Sequence, residues 1–202
     1  MEVDAEGLLV GPAIPVRQPD AGIFVAVAGP SGAGKDSLIA GARAAFTGDD
    51  RIVFARRVIT RPPDASEPYE SATPLAFRLM AEKGGFALWW SANGLEYGLP
   101  ASLIDDVARG RVIVANVSRD MVQVVRNRFP RALIIHVTAS SRTLAARLEQ
   151  RGREPADQRE DRLARAMLKD QAVEADIRIE NDGALHDSIE AFVAVLTSLL
   201  AK

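Results

Sequence analysis

Gly29-Pro30-Ser31-Gly32-Ala33-Gly34-Lys35-Asp36-Ser37 decides how this 202-residue chain is read. Ahead of it, Ile23–Ala28 is a short apolar run rich in branched residues, as in a strand buried on both faces. Behind it, a helical stretch runs from about residue 35 to 46. Glycines let successive backbone N–H groups turn toward one anion, and the start of a helix adds its dipole. Lys35 supplies an ammonium suited to β- and γ-phosphates. Strand, glycine turn and helix in this order predict a nucleotide phosphate site over residues 29–37, rather than a plain turn beside a surface lysine.

One position departs from the usual pattern. The residue after the lysine is ordinarily Ser or Thr, whose hydroxyl holds Mg²⁺; here Asp36 stands there and Ser37 follows. Asp36 and Ser37 are both candidate metal ligands, because hard cations take oxygen. Asp36 is equally a first-turn acid favoured by the helix dipole.

Outward from the loop, strand-like runs at 51–59, 86–90, 112–115, 132–137 and 177–180 alternate with helix-like stretches at about 100–109, 118–128, 140–150 and 158–174. Leu185, Ile189, Phe192, Val193, Leu196 and Leu200 share one face of a terminal amphipathic helix. Residues 60–74, rich in Pro, Asp, Ser and Glu, read as a loop. Strands alternating with helices predict an α/β fold: a central parallel sheet covered on both faces in three α/β/α layers. Residues 1–21, with three prolines and no periodicity, read as a loose extension before one domain at 22–202.

Composition narrows the function classes. With 48% hydrophobic residues, 26% charged and a net charge of -2, the chain is a folded domain rather than a disordered one. Near-neutral charge argues against a general nucleic-acid binder. No run of apolar residues is long enough to span a membrane, and the acidic start is unlike a secretory signal, so a cytoplasmic protein is expected. Zero cysteines remove disulfides, thiolate metal sites and a thiol nucleophile. Neither His136 nor His186 sits at metal-ligand spacing. Sequence leaves monomer and homodimer both open.

From Gly29 onward the chain resembles the guanylate-kinase-like branch of the nucleoside monophosphate kinases, a P-loop fold with a lid. The resemblance is carried by the phosphate loop, by Thr60-Arg61-Pro62-Pro63 with Glu67, by Tyr97-Gly98, by Arg147 to Gly152 with Arg162, and by Glu180-Asn181-Asp182. The residues that read guanine in that branch are replaced. By ungapped counting, Leu88 stands for the glutamate on the guanine edge, Leu99 for a hydroxyl residue, Thr73 for an acceptor-phosphate tyrosine, and Asp64 for a second arginine. Apolar side chains at the first two leave guanine donors unpaired, which costs orders of magnitude in selectivity.

The substitutions resemble those of a narrower family, the ribose 1,5-bisphosphate phosphokinases. Gly-Lys-Asp-Ser-Leu at 34–38, the run from Trp90 to Gly98, Asn116 with Ser118-Arg119, and Asn181-Asp182-Gly183 carry this likeness, over about residues 23–200. It implies transfer of the γ-phosphoryl group of ATP, with Mg²⁺, to ribose 1,5-bisphosphate, giving 5-phosphoribosyl 1-diphosphate within phosphonate use. Its acceptor segment is expected at about 60–100 and its lid at about 147–162.

Under that resemblance Lys35, Arg147, Arg151 and Arg162 are the candidate catalytic cations, with Arg153 and Asn181 beside the nucleotide. Arginine's planar fork suits phosphate oxygens. Residues 142–165 also hold five acids against seven arginines, so an exposed helix laced with ion pairs is the plainer reading. Arg57, Arg61 and Arg119 are candidates for the acceptor's phosphates, and Asn93, Tyr97 and Asn116 for its hydroxyls or phosphate. Asn93-Gly94 is equally explained by turn chemistry, and Arg57 by a strand end in solvent. Glu67 either orients Arg61 or approaches a ribose hydroxyl. Rival readings are a guanylate or other nucleoside monophosphate kinase, a non-catalytic interaction module of the same fold, and a hydrolytic P-loop enzyme.

Overall fold

The computed structural model describes residues 2–3, 9–10, 21–62, 69–151 and 173–201. Among these, the strands are β1 Glu2–Val3, β2 Leu9–Val10, β3 Ile23–Ala28, β4 Ile52–Phe54, β5 Val58–Ile59, β6 Glu70–Ser71, β7 Phe86–Ala92, β8 Leu95–Pro100, β9 Val112–Asn116, β10 Ala132–Thr138 and β11 Ile177–Glu180. The helices are α1 Lys35–Ala45, α2 Pro74–Glu82, α3 Ser102–Ala108, α4 Val122–Arg128, α5 Ser141–Arg151 and α6 Leu185–Leu200. A five-stranded sheet runs in the order β11-β10-β3-β9-β4. Its printed registers are parallel: Ile135 faces Ile177, and Ile52 faces Val112. Its inner strands β10, β3 and β9 are buried on both faces, as parallel strands under helices must be; Val25, Ala26 and Val27 are fully buried.

A second sheet was not anticipated from the sequence. It is mostly antiparallel, in the order β1-β2-β7-β8-β5-β6. The stretch 51–59, expected as one strand, is two: β4 joins the parallel sheet and β5 pairs antiparallel with β8. Ala55-Arg56-Arg57 between them carries no apolar residue large enough to continue a buried strand, so the chain leaves one sheet there and enters the other. Asn93 (φ 52) and Gly94 (φ 72) form the two-residue turn joining β7 to β8. Positive φ at both central residues matches the strand twist of a tight hairpin, and Asn-Gly is the pair that tolerates it. Helix α2 was also missed; Thr73 caps it, accepting from the Ala76 N–H at 3.2 Å, and Pro74 opens it. Within the stretch read as a loose extension, β2 pairs with β7, Val10 facing Leu88.

The chain clusters into two compact units. One comprises Met1–Phe24, Asp50–Ala115 and Arg126–Arg131; the other comprises Val25–Asp49, Asn116–Val125 and Ala132–Lys202. In the first, Val58, Phe77 and Phe86 form a buried cluster, with the Phe77 and Phe86 rings stacked at 4.6 Å. Burying such rings stabilises by about 2 kcal/mol each. In the second, His136 is fully buried in β10, and Arg178 Nη1 donates to its Nδ1 at 2.8 Å. Arginine has no acceptor, so this histidine is neutral and structural, as its sequence context suggested. No described helix is long and apolar enough to cross a membrane.

Candidate functional site

The phosphate loop belongs to the second unit. The chain leaves β3 through Gly29 (φ 149), Gly32 (φ 88) and Gly34 (φ 92) and enters α1. Gly34 is the N-cap and brings no side chain, so α1 has no side-chain cap over its first-turn N–H groups. Those donors, with the positive end of the helix dipole, make an anion cradle. A Cβ at Gly34 would lie 2.3 Å from Asn181 Nδ2, so only glycine fits there. Lys35 Nζ donates to the carbonyls of Gly29 and Pro30, each at 2.9 Å. The lysine thus closes its own loop and holds its ammonium at the cradle.

The loop is braced from beneath. Asn181, 1% exposed, donates from Nδ2 to the Ala33 carbonyl at 2.8 Å. Arg147 Nη1 donates to Gly32 O at 3.3 Å and more weakly to Ala33 O at 3.5 Å, while Nη2 donates to Asn181 O at 2.9 Å. Arg147, expected as a catalytic cation, here holds main-chain carbonyls, because the end of β11 and the loop both present acceptors to its fork. Asp182 accepts from the Ser140 N–H at 2.8 and 2.9 Å, fixing the start of α5. Hydrogen bonds from Thr143 first, then Ser140, with the Arg147 charge adding, hold its carboxyl below the usual range.

Asn116, expected at the acceptor, is also in this unit, where it donates from Nδ2 to Asp36 Oδ1 at 2.6 Å. Ser37 is exposed, and Arg119 opens a short 3-10 turn, half-buried. Among the described residues no cluster of three His, Cys, Asp or Glu side chains could hold a metal. One protein carboxylate beside a phosphate cradle is nonetheless what Mg²⁺ uses when it arrives with a nucleotide, since phosphates and water complete its shell.

The first unit carries the acceptor-side candidates. Arg61 Nε donates to the Tyr69 hydroxyl at 3.1 Å, and its guanidinium lies 4.5 Å from the Tyr69 ring centre. The Tyr69 hydroxyl in turn donates to Pro62 O. Ser71 Oγ donates to Arg61 O at 2.6 Å, and Arg56 Nη2 to Tyr69 O at 3.0 Å. Arg57 stands over Tyr97 at 5.7 Å, and Trp90 stacks beneath that ring at 5.5 Å and 8°. Ile59 faces Tyr97 across β5 and β8. Both tyrosines of the chain thus lie under an arginine at an end of β5.

Tyr69 was missed because ungapped counting placed the acceptor tyrosine at Thr73, which caps α2; the signal was that only two tyrosines exist. Arg57 lies against a ring rather than ending a strand in solvent. Asn93 is an exposed turn residue whose positive φ accounts for its identity. Leu88 and Leu99 face each other and are fully buried. Glu67, Arg153, Arg162 and the Arg151 side chain lie outside the described residues, as do most of the expected lid and the predicted helix at 158–174.

The curated ribose 1,5-bisphosphate phosphokinase of Rhizobium etli is 41% identical over 182 residues, covering 90% of this chain and 92% of that one. That of Acidiphilium cryptum is 46% identical over 178 residues, covering 88% and 94%. The chain belongs to the ribose 1,5-bisphosphate phosphokinase family. A bifunctional ribose 1,5-bisphosphokinase–thymidine phosphorylase of Azorhizobium caulinodans is 44% identical over 182 residues; this chain spans 26% of that longer relative. The family's fold is that of guanylate kinases: the crystal structure of the Anaplasma phagocytophilum enzyme aligns with TM-score 0.63, covering 89% of this chain and 86% of that one at 18% identity. No protein-family model matches.

Proposed function

We propose that this phosphokinase transfers the γ-phosphoryl group of ATP to the 1-phosphate of ribose 1,5-bisphosphate, releasing ADP and 5-phosphoribosyl 1-diphosphate. The observation that carries the reading is the contrast between its two kinds of site. The nucleotide cradle is complete in backbone and lysine, whereas the acceptor side offers arginine-on-tyrosine pairs and buries Leu88 and Leu99, where guanine would need polar contacts. The names of the relatives supply the sugar.

The acceptor atom is a phosphate oxygen, already anionic at neutral pH, so the protein has no proton to remove. An oxygen of the 1-phosphate forms the new P–O bond while the bond from the β–γ bridging oxygen to the γ-phosphorus breaks, and ADP leaves with that electron pair. Catalysis is then positioning and charge neutralisation. The loop amides and Lys35 hold the donor phosphates. Arg61, oriented by Tyr69, and Arg57, oriented by Tyr97, bind acceptor phosphates. Arg147 and Asn181 keep the loop in shape. Mg²⁺, held through Asp36, offsets charge on the phosphoryl oxygens when bound. Residues 60–100 serve as the acceptor segment, and Arg151, Arg153 and Arg162 in the lid segment add cations at the transferring group.

The test offers Mg²⁺–ATP with ribose 1,5-bisphosphate and with GMP in parallel, and identifies products by phosphorus NMR. A new diphosphate on the sugar, with GMP untouched, is the expected result. Turnover of GMP alone overturns the reading.

A further inference from the structure

Two departures in the sequence, 80 residues apart, meet in the structure. Asp36 stands where a phosphate loop ordinarily has a hydroxyl residue. Asn116 ends β9, where the walls of such a site ordinarily carry an acid. The Val117 N–H donates to Val27 O at 3.1 Å, which ties the end of β9 to the end of β3 and brings Asn116 beside the loop. There its amide donates to the Asp36 carboxylate at 2.6 Å. One carboxylate is kept in total, but it has moved from the strand to the loop, and an amide has taken its former place.

We infer that Asn116 is a positioning residue for the metal–nucleotide complex: it fixes the Asp36 carboxylate as the anchor for Mg²⁺, and does not bind the sugar. The inference rests on the proposed kinase reading only for the presence of a metal–nucleotide. Three points carry it. Asn116 is 8% exposed, and its amide nitrogen is directed at Asp36. The bond is charge-assisted and short, so it selects one carboxylate orientation out of the several that a first-turn aspartate samples. The helix dipole accounts for tolerance of an acid at position 36, but not for a buried amide directed at it. A carboxylate at both positions would bring two like charges together, which a bound cation relieves.

The test needs no acceptor. Mn²⁺ replaces Mg²⁺, and its binding to the full-length protein with ADP is followed by electron paramagnetic resonance. Asn116→Ala is expected to weaken Mn²⁺ binding about tenfold, the range typical when a hydrogen-bonding partner of a metal ligand is lost. ADP affinity in chelator stays unchanged. Asn116→Asp, close in size, is expected to melt lower without metal, to bind Mn²⁺ more tightly and to show a larger Mn²⁺-dependent rise in melting temperature. The exchange variant Asp36→Ser with Asn116→Asp restores the ordinary pairing of a loop hydroxyl with a strand acid, and is expected to recover Mn²⁺ binding that Asp36→Ala alone loses.

Unchanged Mn²⁺ binding in Asn116→Ala, with a raised KM for ribose 1,5-bisphosphate, returns Asn116 to the acceptor and overturns the inference. So does an Asp36→Ala variant that binds Mn²⁺ normally. Absence of sugar turnover in the unaltered protein strikes the kinase reading instead, and the two failures stay distinct.

Discussion

The phosphate loop and the β7–β8 hairpin region solve different recognition problems with different parts of the chain. The loop addresses a phosphate chain common to all nucleoside triphosphates, and it does so with main-chain N–H groups, three positive-φ glycines and one lysine. Its braces, Arg147 and Asn181, also grip main-chain carbonyls. The acceptor side addresses a particular small molecule, and its chemistry lies in side chains: Arg61 on Tyr69 and Arg57 on Tyr97. A main-chain cradle needs a backbone shape and tolerates little else. A side-chain site can be rewritten without disturbing its sheet, as Leu88 and Leu99 illustrate by joining the core.

That contrast is broken most directly at Lys35. Replacing it with Ala removes the one cation the cradle itself supplies, and transfer should fall by about 10³-fold, or about 4 kcal/mol of transition-state stabilisation. Circular dichroism should remain native, because the side chain is half-buried and donates to carbonyls of its own loop. Retained turnover would mean the cradle works through its amides alone.

The next test attacks the acceptor side where it has become core. Leu88 is fully buried and faces Leu99 in the hairpin. Leu88→Glu restores the residue type that reads guanine in guanylate kinases, yet it should cost about 4 kcal/mol of stability and confer no GMP phosphorylation, since the carboxyl enters apolar packing without a partner. A stable variant that turns over GMP would show that β7 can turn this position outward, and that the two regions differ less than proposed.

Arg61 and Tyr69 sharpen the comparison. Arg61→Ala should lower kcat/KM for the sugar bisphosphate by about 10- to 100-fold, the worth of a charge-assisted phosphate contact. Tyr69→Phe keeps the ring under the guanidinium and removes the hydroxyl, so it should cost only about threefold to tenfold. Nucleotide affinity should hold in both. Equal losses in the two variants would assign the hydroxyl, rather than the guanidinium, to the acceptor phosphate.

These residues also mark how much was legible in the sequence. Local features could be read: the glycine spacing, the strand Ile23–Ala28, the Asn-Gly turn and the apolar face of α6 all sit within a few residues of their cause. The antiparallel sheet was not, because Ala55 to Arg57 carries no turn residue to announce that the chain changes sheets there. Tyr69 escaped because loop length shifts a motif count without leaving a trace in composition. Asn116 and Asp36 were each noticed as exceptions, but a contact across 80 residues is a property of the fold. Arg147 reads in sequence as one of seven arginines in its segment; its hold on the carbonyls of Gly32 and Asn181 is likewise a property of the fold.

The smallest expected effect concerns Asp182, which joins the end of β11 to the start of α5, the helix that carries Arg147. Its carboxyl titrates below its ordinary value of 3.8, chiefly through the Thr143 hydroxyl and the Ser140 N–H. A depressed carboxyl contributes stability that is fully present above the unfolded value and is lost as pH falls through the folded one. Asp182→Asn should therefore lower the melting temperature by about 1–2 °C at pH 7, a small figure because the group is exposed and screened. The gap between the two proteins should close as pH drops below about 4. Nucleotide affinity of the variant decides what the bond does for the cradle. A weakened affinity at pH 7, with the sugar KM unchanged, ties Asp182 to the loop through α5 and Arg147; an unchanged affinity limits its work to starting the helix.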